Sequence, residues 1–491
     1  MENVVNFLNG IIWSPALVYL CLGTGLYFSV RTRFLQVRHM RLMLRLLFRG
    51  KASERGVSSY QAFALAVSGR VGTGNIAGVA TAIAIGGPGA VFWMWAIAFL
   101  GAGSAFVEAA LAQIYKEEIG GQYRGGPAYY IERGLKTKWY AVLFALSTVL
   151  ATGLFLPGVQ ANSIASAIEN AFAVPPAFTG ATIVVLLGLI IFGGVKRISR
   201  AAEFFVPIMA TGYLLMALVI IALHFRDVPA VFALIFNSAF GVGPVFGGIV
   251  GQAIAWGVKR GVYSNEAGQG TAPMAAAAAE VKHPAEQGLV QAFSIYFDTW
   301  LVCSATAFMI LLTGKYNVAN PAGGFLVENV PGTAVGPAYT QAAVDSVLPG
   351  FGSGFVAIAL LFFAFTTIMA YYYYAETNLT YLHKQGSNRW LFHALRAIFL
   401  LVVFYGTQHN AEIAWALGDI GVGLMAWLNI IAILLLTRPA LTCLRHYEAQ
   451  LKAGTPPRFV AAEAGIDNAP LWKSAESLAG PANSAGRDTR A

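Results

Sequence analysis

Long apolar runs recur along the 491 residues of the chain, and they constrain its fold more than any other feature. A helix that crosses a bilayer needs about 20 mostly apolar residues, because lipid offers no hydrogen-bond partner to an open backbone. Only 11% of the residues are charged, against the roughly 25% found in average soluble proteins. The sequence therefore predicts an all-α polytopic membrane protein with about 11 transmembrane helices. These lie at residues 12–30, 61–85, 90–115, 139–172, 178–195, 203–224, 245–258, 287–313, 351–374, 390–407 and 410–437.

The basic residues fall almost entirely on one side of this topology. With the N-terminus outside, 28 of the 32 Lys and Arg residues lie in the C-terminal tail and in loops 31–57, 116–138, 196–200, 259–286 and 383–389. Cytoplasmic loops carry such an excess of Lys and Arg. We therefore expect a multi-pass protein of the inner (plasma) membrane with an external N-terminus and a cytoplasmic C-terminus. The net charge of +9 then reflects contact with the lipid bilayer at its inner leaflet, and no nucleic-acid partner is expected.

The sequence lacks the motifs of common enzyme classes. It contains no P-loop, no HExxH zinc motif and no GxSxG nucleophile motif. Its three cysteines lie in or beside apolar runs, so they fit neither a disulfide framework nor a zinc site. We expect no enzymatic activity, no cofactor and no obligate protein partner. Any work that the protein does must draw on an ion gradient.

A glycine-rich interruption occupies the middle of the second apolar run, at Gly69–Gly78. Glycine costs about 1 kcal/mol relative to alanine inside a helix, so this segment favours local unwinding. Irregular backbone at membrane depth is tolerated where it is buried or lines a cavity. Its freed amides can bind a carboxylate and its freed carbonyls can bind a cation. The same glycines are also compatible with close helix packing.

A second interruption is predicted five spans later, at Gly247–Gly257. If the first span is an appendage, the other ten divide into five plus five, and a broken helix opens each half. Corresponding interruptions in two halves indicate the binding site of an inverted-repeat transporter. This predicts an N-terminal helix with a basic loop at 1–57, repeats at 58–228 and 229–437, and a disordered tail at 438–491.

Three polar side chains at membrane depth are candidates for this site. Gln160 follows the helix-kinking Pro157 and either faces a cavity or only satisfies the kink. Thr366 and Thr367 offer two hydroxyls for a cation, although a threonine can also bond the carbonyl four residues earlier in its own helix. Both interpretations remain open at this point.

Two carboxylates, Glu108 and Asp298, lie inside apolar spans. Intramembrane carboxylates are usually functional or paired, and either residue could pair with Arg70. A proton-coupled carrier that uses one of them is the main alternative to sodium coupling. A channel or a membrane enzyme is a weaker alternative, because no nucleophile–base or metal constellation is present.

Four segments resemble the alanine or glycine:cation symporter family, the sodium:alanine symporters. They are Gly72–Ile83 followed by Gly86–Gly89, Gly257–Gly268 with Ala272 and Pro273, Asp298–Cys303, and Phe363–Thr367. The resemblance extends from about residue 60 to 435. It implies a leucine-transporter-like fold with two inverted five-helix repeats and one extra N-terminal helix. It also implies sodium-coupled symport of a small neutral amino acid, such as alanine or glycine, into the cell by alternating access.

The resemblance also implies roles for particular residues. The substrate would meet Thr73, Gly74, Asn75, Gln160, Ala255, Trp256, Gly257 and Tyr371. Sodium, the coupling ion, would meet Ser68, Val71, Thr366 and Thr367. Bulky side chains such as Trp256 and Tyr371 predict a small cavity.

Overall fold

The computed structural model describes residues 2–48, 55–242, 245–383, 389–409 and 411–473, most of them in helices. The first 12 helices are α1 Glu2–Ile12, α2 Pro15–Arg31, α3 Leu35–Arg38, α4 Met40–Leu47, α5 Ser59–Arg70, α6 Val79–Gly86, α7 Gly89–Ile114, α8 Pro127–Leu135, α9 Lys138–Leu150, α10 Leu156–Phe172, α11 Pro176–Ile191 and α12 Gly194–Leu223. The others are α13 Val228–Phe240, α14 Val250–Asn265, α15 Ala272–Ala277, α16 Pro284–Ile295, α17 Ser304–Thr313, α18 Pro337–Val347, α19 Gly352–Leu382, α20 Arg389–Gln408, α21 Ala411–Leu435 and α22 Thr437–Lys452.

Wider π-helical turns interrupt three of the spans, at Gly74–Gly78, Ala151–Phe155 and Tyr296–Cys303. Two small antiparallel hairpins lie in the connections: β1 Glu117–Ile119 pairs with β2 Gln122–Arg124, and β3 Asn317–Ala319 pairs with β4 Phe325–Glu328. The helix α5 begins at a capping box, in which Ser58 and Gln61 each accept a backbone hydrogen bond from the other at 3.1 Å. This cap fixes where the first broken helix starts.

The predicted spans correspond to helices of the structure. In the described part of the chain, eight continuous helical stretches are long and apolar enough to cross a membrane. The remaining three predicted spans are α11, the broken helix made of α5 and α6, and the run 245–258, which covers only the first part of α14 and ends before α15. The helix α13 was not predicted.

One end of the molecule gathers most of the basic loops. Arg38 pairs with Glu448 at 2.7 Å, and the amide of Tyr123 donates to the carbonyl of Arg55 at 3.0 Å. Val57 in turn forms a bridge with Ala279. We call this end the basic face; it carries residues 32–48, 55–58, 115–126, 278–283 and 437–473.

The expectation of a disordered tail from residue 438 was wrong for the described residues. Thr437–Lys452 forms α22, and the chain beyond it packs against the basic face as far as Lys473. The reason is that Phe459 and Trp472 find buried positions there. Residues 474–491 lie outside the described part of the chain.

Candidate binding site at the two helix breaks

The first break follows Arg70 and is shaped by a close approach to two side chains. Val71 has a non-helical ψ of 89°, and regular turns resume only in the π-helical segment that starts at Gly74. A Cβ on Gly72 would lie 2.4 Å from Thr367 Oγ1 and 2.8 Å from Gln160 Oε1. Glycine is therefore required for the backbone to approach both groups.

Gln160 lies against the amides of this break. The Thr73 amide donates to Gln160 Oε1 at 3.0 Å, and the Gly72 amide donates to Asn75 Oδ1 at 2.9 Å. Gly74 faces the second broken helix, because a Cβ there would lie 3.2 Å from the ring of Tyr263. Thr73, Asn75 and Gln160 are all buried.

An oxygen cluster lies directly beside these amides. Thr367 Oγ1 is 2.8 Å from the Ser68 carbonyl and 3.3 Å from the Val71 carbonyl. Hard cations such as sodium favour oxygen ligands, and carbonyls of unwound helices supply them in transporters. Both hydroxyls also lie within 3.0 Å of the Phe363 carbonyl of their own helix. Thr366 is directed away from the break, since its hydroxyl faces the sulfur of Met209 at 3.7 Å. The structure thus brings Ser68, Val71 and Thr367 together but not Thr366.

The predicted position of the second break was wrong. Residues 250–265 form the continuous helix α14, and the chain leaves helical geometry only at Glu266, which has a φ of 56°. Gly257 instead allows close helix packing, because a Cβ there would lie 2.5 Å from the Ala90 carbonyl of α7. Trp256 packs against the cations of its own helix. Ala255–Gly257 therefore precede the true break by about two helical turns.

The true second break, Glu266–Thr271, comes close to the first. A Cβ on Gly74 would lie 3.3 Å from Ser264 Cα, just before this break. Gly268 and Gly270 adopt φ of 78° and 90° within it, so the glycines that unwind the chain are these two. The signal in the sequence was the Gly-x-Gly pattern at Gly268 and Gly270, which lies outside the predicted apolar spans.

Neutral donors hold both intramembrane carboxylates, and among the described residues neither forms the ion pair with Arg70 that the sequence allowed. Asp298 accepts hydrogen bonds from Asn75 Nδ2 at 2.7 Å and from Ser264 Oγ at 2.9 Å. Glu108 accepts one from the Gly268 amide at 3.2 Å and one from Asn429 Nδ2 at 2.8 Å. These bonds attach the second break to α7 and to the π-helical turn at 296–303.

Several buried polar atoms between the breaks have no hydrogen-bond partner among the described residues. They are Thr73 Oγ1, Tyr374 Oη, Arg70 Nε and Nη2, and both ends of the Gln269 amide. The Glu266 carboxylate lies near the Thr271 hydroxyl without closing a hydrogen bond. Each such atom costs about 1–3 kcal/mol if nothing satisfies it. A cluster of them is typical of a place where polar ligands bind.

Aromatic rings and an ion pair cover the site on the side away from the basic face. Arg260 binds Asp419 at 2.8 Å and Lys259 binds the same carboxylate at 2.7 Å. The prediction that Lys259 and Arg260 lie in a cytoplasmic loop was therefore wrong, because both residues lie within α14. The ring of Tyr263 packs 5.1 Å from that of Trp415. Tyr371, predicted to bound the cavity, is buried, and its ring centroid lies 6.4 Å from that of Tyr374.

Known proteins resemble this chain over nearly its whole length. YrbD of Bacillus subtilis (strain 168) is 61% identical over 473 residues, which cover 96% of this chain and 98% of YrbD. The sodium/proton-dependent alanine carrier protein of Bacillus sp. (strain PS3) is 54% identical over 433 residues, covering 88% of this chain and 97% of that carrier. The crystal structure of MhsT in complex with L-phenylalanine superposes with a TM-score of 0.55 and 12% identity, covering 87% of this chain and 96% of that chain.

The likeness to MhsT shows the fold alone, which is the leucine-transporter-like arrangement of two inverted five-helix repeats with one extra N-terminal helix. The sequence model of the sodium:alanine symporter family matches residues 1–461 of the chain. The matched proteins are transporters and not enzymes. The chain belongs to the sodium:alanine symporter family.

Proposed function

We propose that the protein carries a small neutral amino acid, of alanine or glycine size, into the cell together with sodium by alternating access. The observation that best supports this proposal is the position of Gly72, where the broken backbone lies against both Thr367 Oγ1 and Gln160 Oε1. One short segment thus takes part in two candidate sites. The choice of alanine is supported by the relative from Bacillus sp. (strain PS3), which is named an alanine carrier protein.

The substrate carboxylate binds at the amides of Thr73, Gly74 and Asn75. Gln160 Oε1 accepts from the Thr73 amide, so a carboxylate oxygen that enters competes for that donor. The space is narrow because the ring of Tyr263 lies against Gly74, where an added Cβ would be 3.2 Å from it. Small side chains on the substrate therefore fit best.

Sodium binds at the carbonyls of Ser68 and Val71 with the hydroxyl of Thr367. Because Val71 immediately precedes the substrate-binding amides, each ligand orders the backbone that the other needs, and such coupling is reciprocal. The inward sodium gradient then drives uptake. The membrane potential adds about 2.3 kcal/mol per charge for each 100 mV.

Uptake of labelled alanine into proteoliposomes tests this proposal. With equal pH on both sides, an inward sodium gradient should drive accumulation, and an equal gradient of potassium should not. Thr367→Ala should raise the sodium concentration for half-maximal uptake by up to about tenfold, the effect of losing roughly 1.4 kcal/mol. Thr366→Ala is the matched control, because its hydroxyl does not face the break. Equal sodium dependence in both variants would contradict the assignment.

Proton coupling is the second candidate function, and one observation favours a residue for it. Donors occupy Glu108 and Asp298, whereas neither oxygen of the buried Glu266 carboxylate has a donor among the described residues. A buried carboxylate without donors is the one that most readily carries a proton. Glu266 replaces Glu108 and Asp298 as the candidate proton site.

An imposed pH gradient at equal sodium distinguishes the two modes of coupling. If a proton moves with each cycle through Glu266, an inward proton gradient should accelerate alanine uptake by the unmodified protein. Glu266→Gln should remove that acceleration while sodium-driven uptake persists. Glu266→Asp should retain it. An unmodified protein that ignores the pH gradient would exclude proton coupling and leave the sodium proposal intact.

A further inference from the structure

The C-terminal strap, residues 453–473, folds into a compact loop after α22. Phe459 and Trp472 are both fully buried, at 0% exposure. Their rings pack edge to face with centroids 5.3 Å apart, and the Ala461 amide donates to the Trp472 carbonyl at 2.9 Å. Tryptophan and phenylalanine bury more apolar area than most side chains. The two rings therefore anchor the strap to the protein.

The strap contacts three separate elements in or beside the basic face. Trp472 Nε1 donates to the carbonyl of Gln113, in the last turn of α7, at 2.8 Å. The Phe459 amide donates at 3.1 Å to the carbonyl of Lys282, which follows α15. Asn468 Nδ2 donates to the carbonyl of Arg133 in α8 at 3.3 Å. The strap thus crosses the end of the second broken helix.

The same turn of α7 also holds the ends of both broken helices. Gln113 Nε2 and Lys116 Nζ donate to the Ala279 carbonyl at 3.0 and 2.8 Å. The Val57 amide donates to the Ala278 carbonyl at 2.9 Å. Val57 lies just before α5, and Ala279 lies just after α15. The half-helices that separate the site from the basic face are therefore joined to each other and to the turn that accepts Trp472.

We propose that the C-terminal strap is an intramolecular latch that limits how fast the binding site opens to the basic face. Opening on this side requires α5 or α15 to move away from its partner. While Phe459 and Trp472 are docked, a motion of α15 away from α7 must also pull Lys282 away from the strap or draw the strap away from Gln113. Undocking the strap removes this restraint without changing any side chain at the helix breaks.

Two truncations test the latch. A chain that ends after Lys452 lacks the strap, whereas a chain that ends after Lys473 keeps it and is the matched control. With sodium and alanine equal on both sides of proteoliposomes, the shorter chain and Trp472→Ala should exchange labelled alanine severalfold faster than the control. A thiol reagent should also label Met274→Cys, on the buried α15, faster when the strap is absent. Equal exchange and labelling rates in all chains would overturn the proposal.

Cross-linking tests the same proposal in the full chain, where loss of folding is not a concern. Arg133→Cys and Asn468→Cys place two thiols where the strap meets α8, and the three native cysteines are buried. A cleavable bifunctional thiol reagent should slow alanine exchange in the double variant, and cleavage of the linker should restore it. Each single variant treated alike is the control. Exchange at the single-variant rate after cross-linking would refute the latch.

Discussion

Gln160 connects the first break to the rest of the site through one atom. Its Oε1 accepts from the Thr73 amide at 3.0 Å and, together with Thr367 Oγ1, leaves Gly72 no room for a side chain. In the described part of the chain no hydrogen bond joins its side chain to the backbone of α10. The alternative, in which Gln160 only satisfies the kink at Pro157, therefore has no contact to support it.

We expect Gln160→Ala to weaken alanine binding by roughly 1–3 kcal/mol, because a buried polar contact with the substrate and the break is lost. Calorimetric titration of the purified variant with alanine in sodium measures this directly. Asn162→Ala is the control on the same helix, since Asn162 Nδ2 bonds the carbonyls of Gly406 and His409 away from the break. Unmodified affinity in Gln160→Ala would remove this residue from the pocket.

The two threonines show what a sequence predicts at this scale and what it leaves open. The adjacent pair Thr366 and Thr367 was predictable as a source of hydroxyls for a cation. Which of them faces the break depends on the rotation of α19, and the packing of α19 against α10, α12 and α5 fixes that rotation. In the structure Thr367 faces the Ser68 carbonyl, while Thr366 faces Met209 of α12.

At the scale of helices, the first break was predictable and the second was displaced. Glycines in an apolar run have two physical uses, unwinding and close packing, and composition alone does not separate them. Gly72 serves the first use, whereas Gly257 and Gly261 pack α14 against α7, with a Cβ on Gly261 lying 2.4 Å from Ile97. The true break has a polar loop stabilised by Glu108 and Asn429. Those bonds are long-range and were not visible in the sequence.

The strap shows a second limit at this scale. Residues 453–473 have the composition of a disordered tail, yet Trp472 reaches the end of α7 and donates to Gln113. Composition reports how much apolar area a segment could bury, and it does not report whether another element offers a complementary surface. Two aromatic side chains among small and polar neighbours were the signal for docking.

At the scale of the whole molecule, hydropathy and charge predicted most of the architecture. The transmembrane spans follow from the length of the apolar runs, because each spanning segment must satisfy its backbone hydrogen bonds within itself. The structure brings the basic loops to one face through contacts such as Arg38 with Glu448 and Asn468 with Arg133. Lys259 and Arg260 are exceptions that pair with Asp419 within the helices. The excess of Lys and Arg on the basic face persists without them.

This charge distribution predicts that the basic face is cytoplasmic and that the N-terminus is external, because Lys and Arg are retained on the cytoplasmic side during insertion. An odd number of spans also places the two termini on opposite sides. In intact cells, an added protease should cleave an epitope tag placed before Met1 and spare one placed after Ala491. Permeabilised cells are the control, in which both tags should be cleaved. Cleavage of the C-terminal tag in intact cells would reverse the orientation, and the strap would then restrain the external opening of the site.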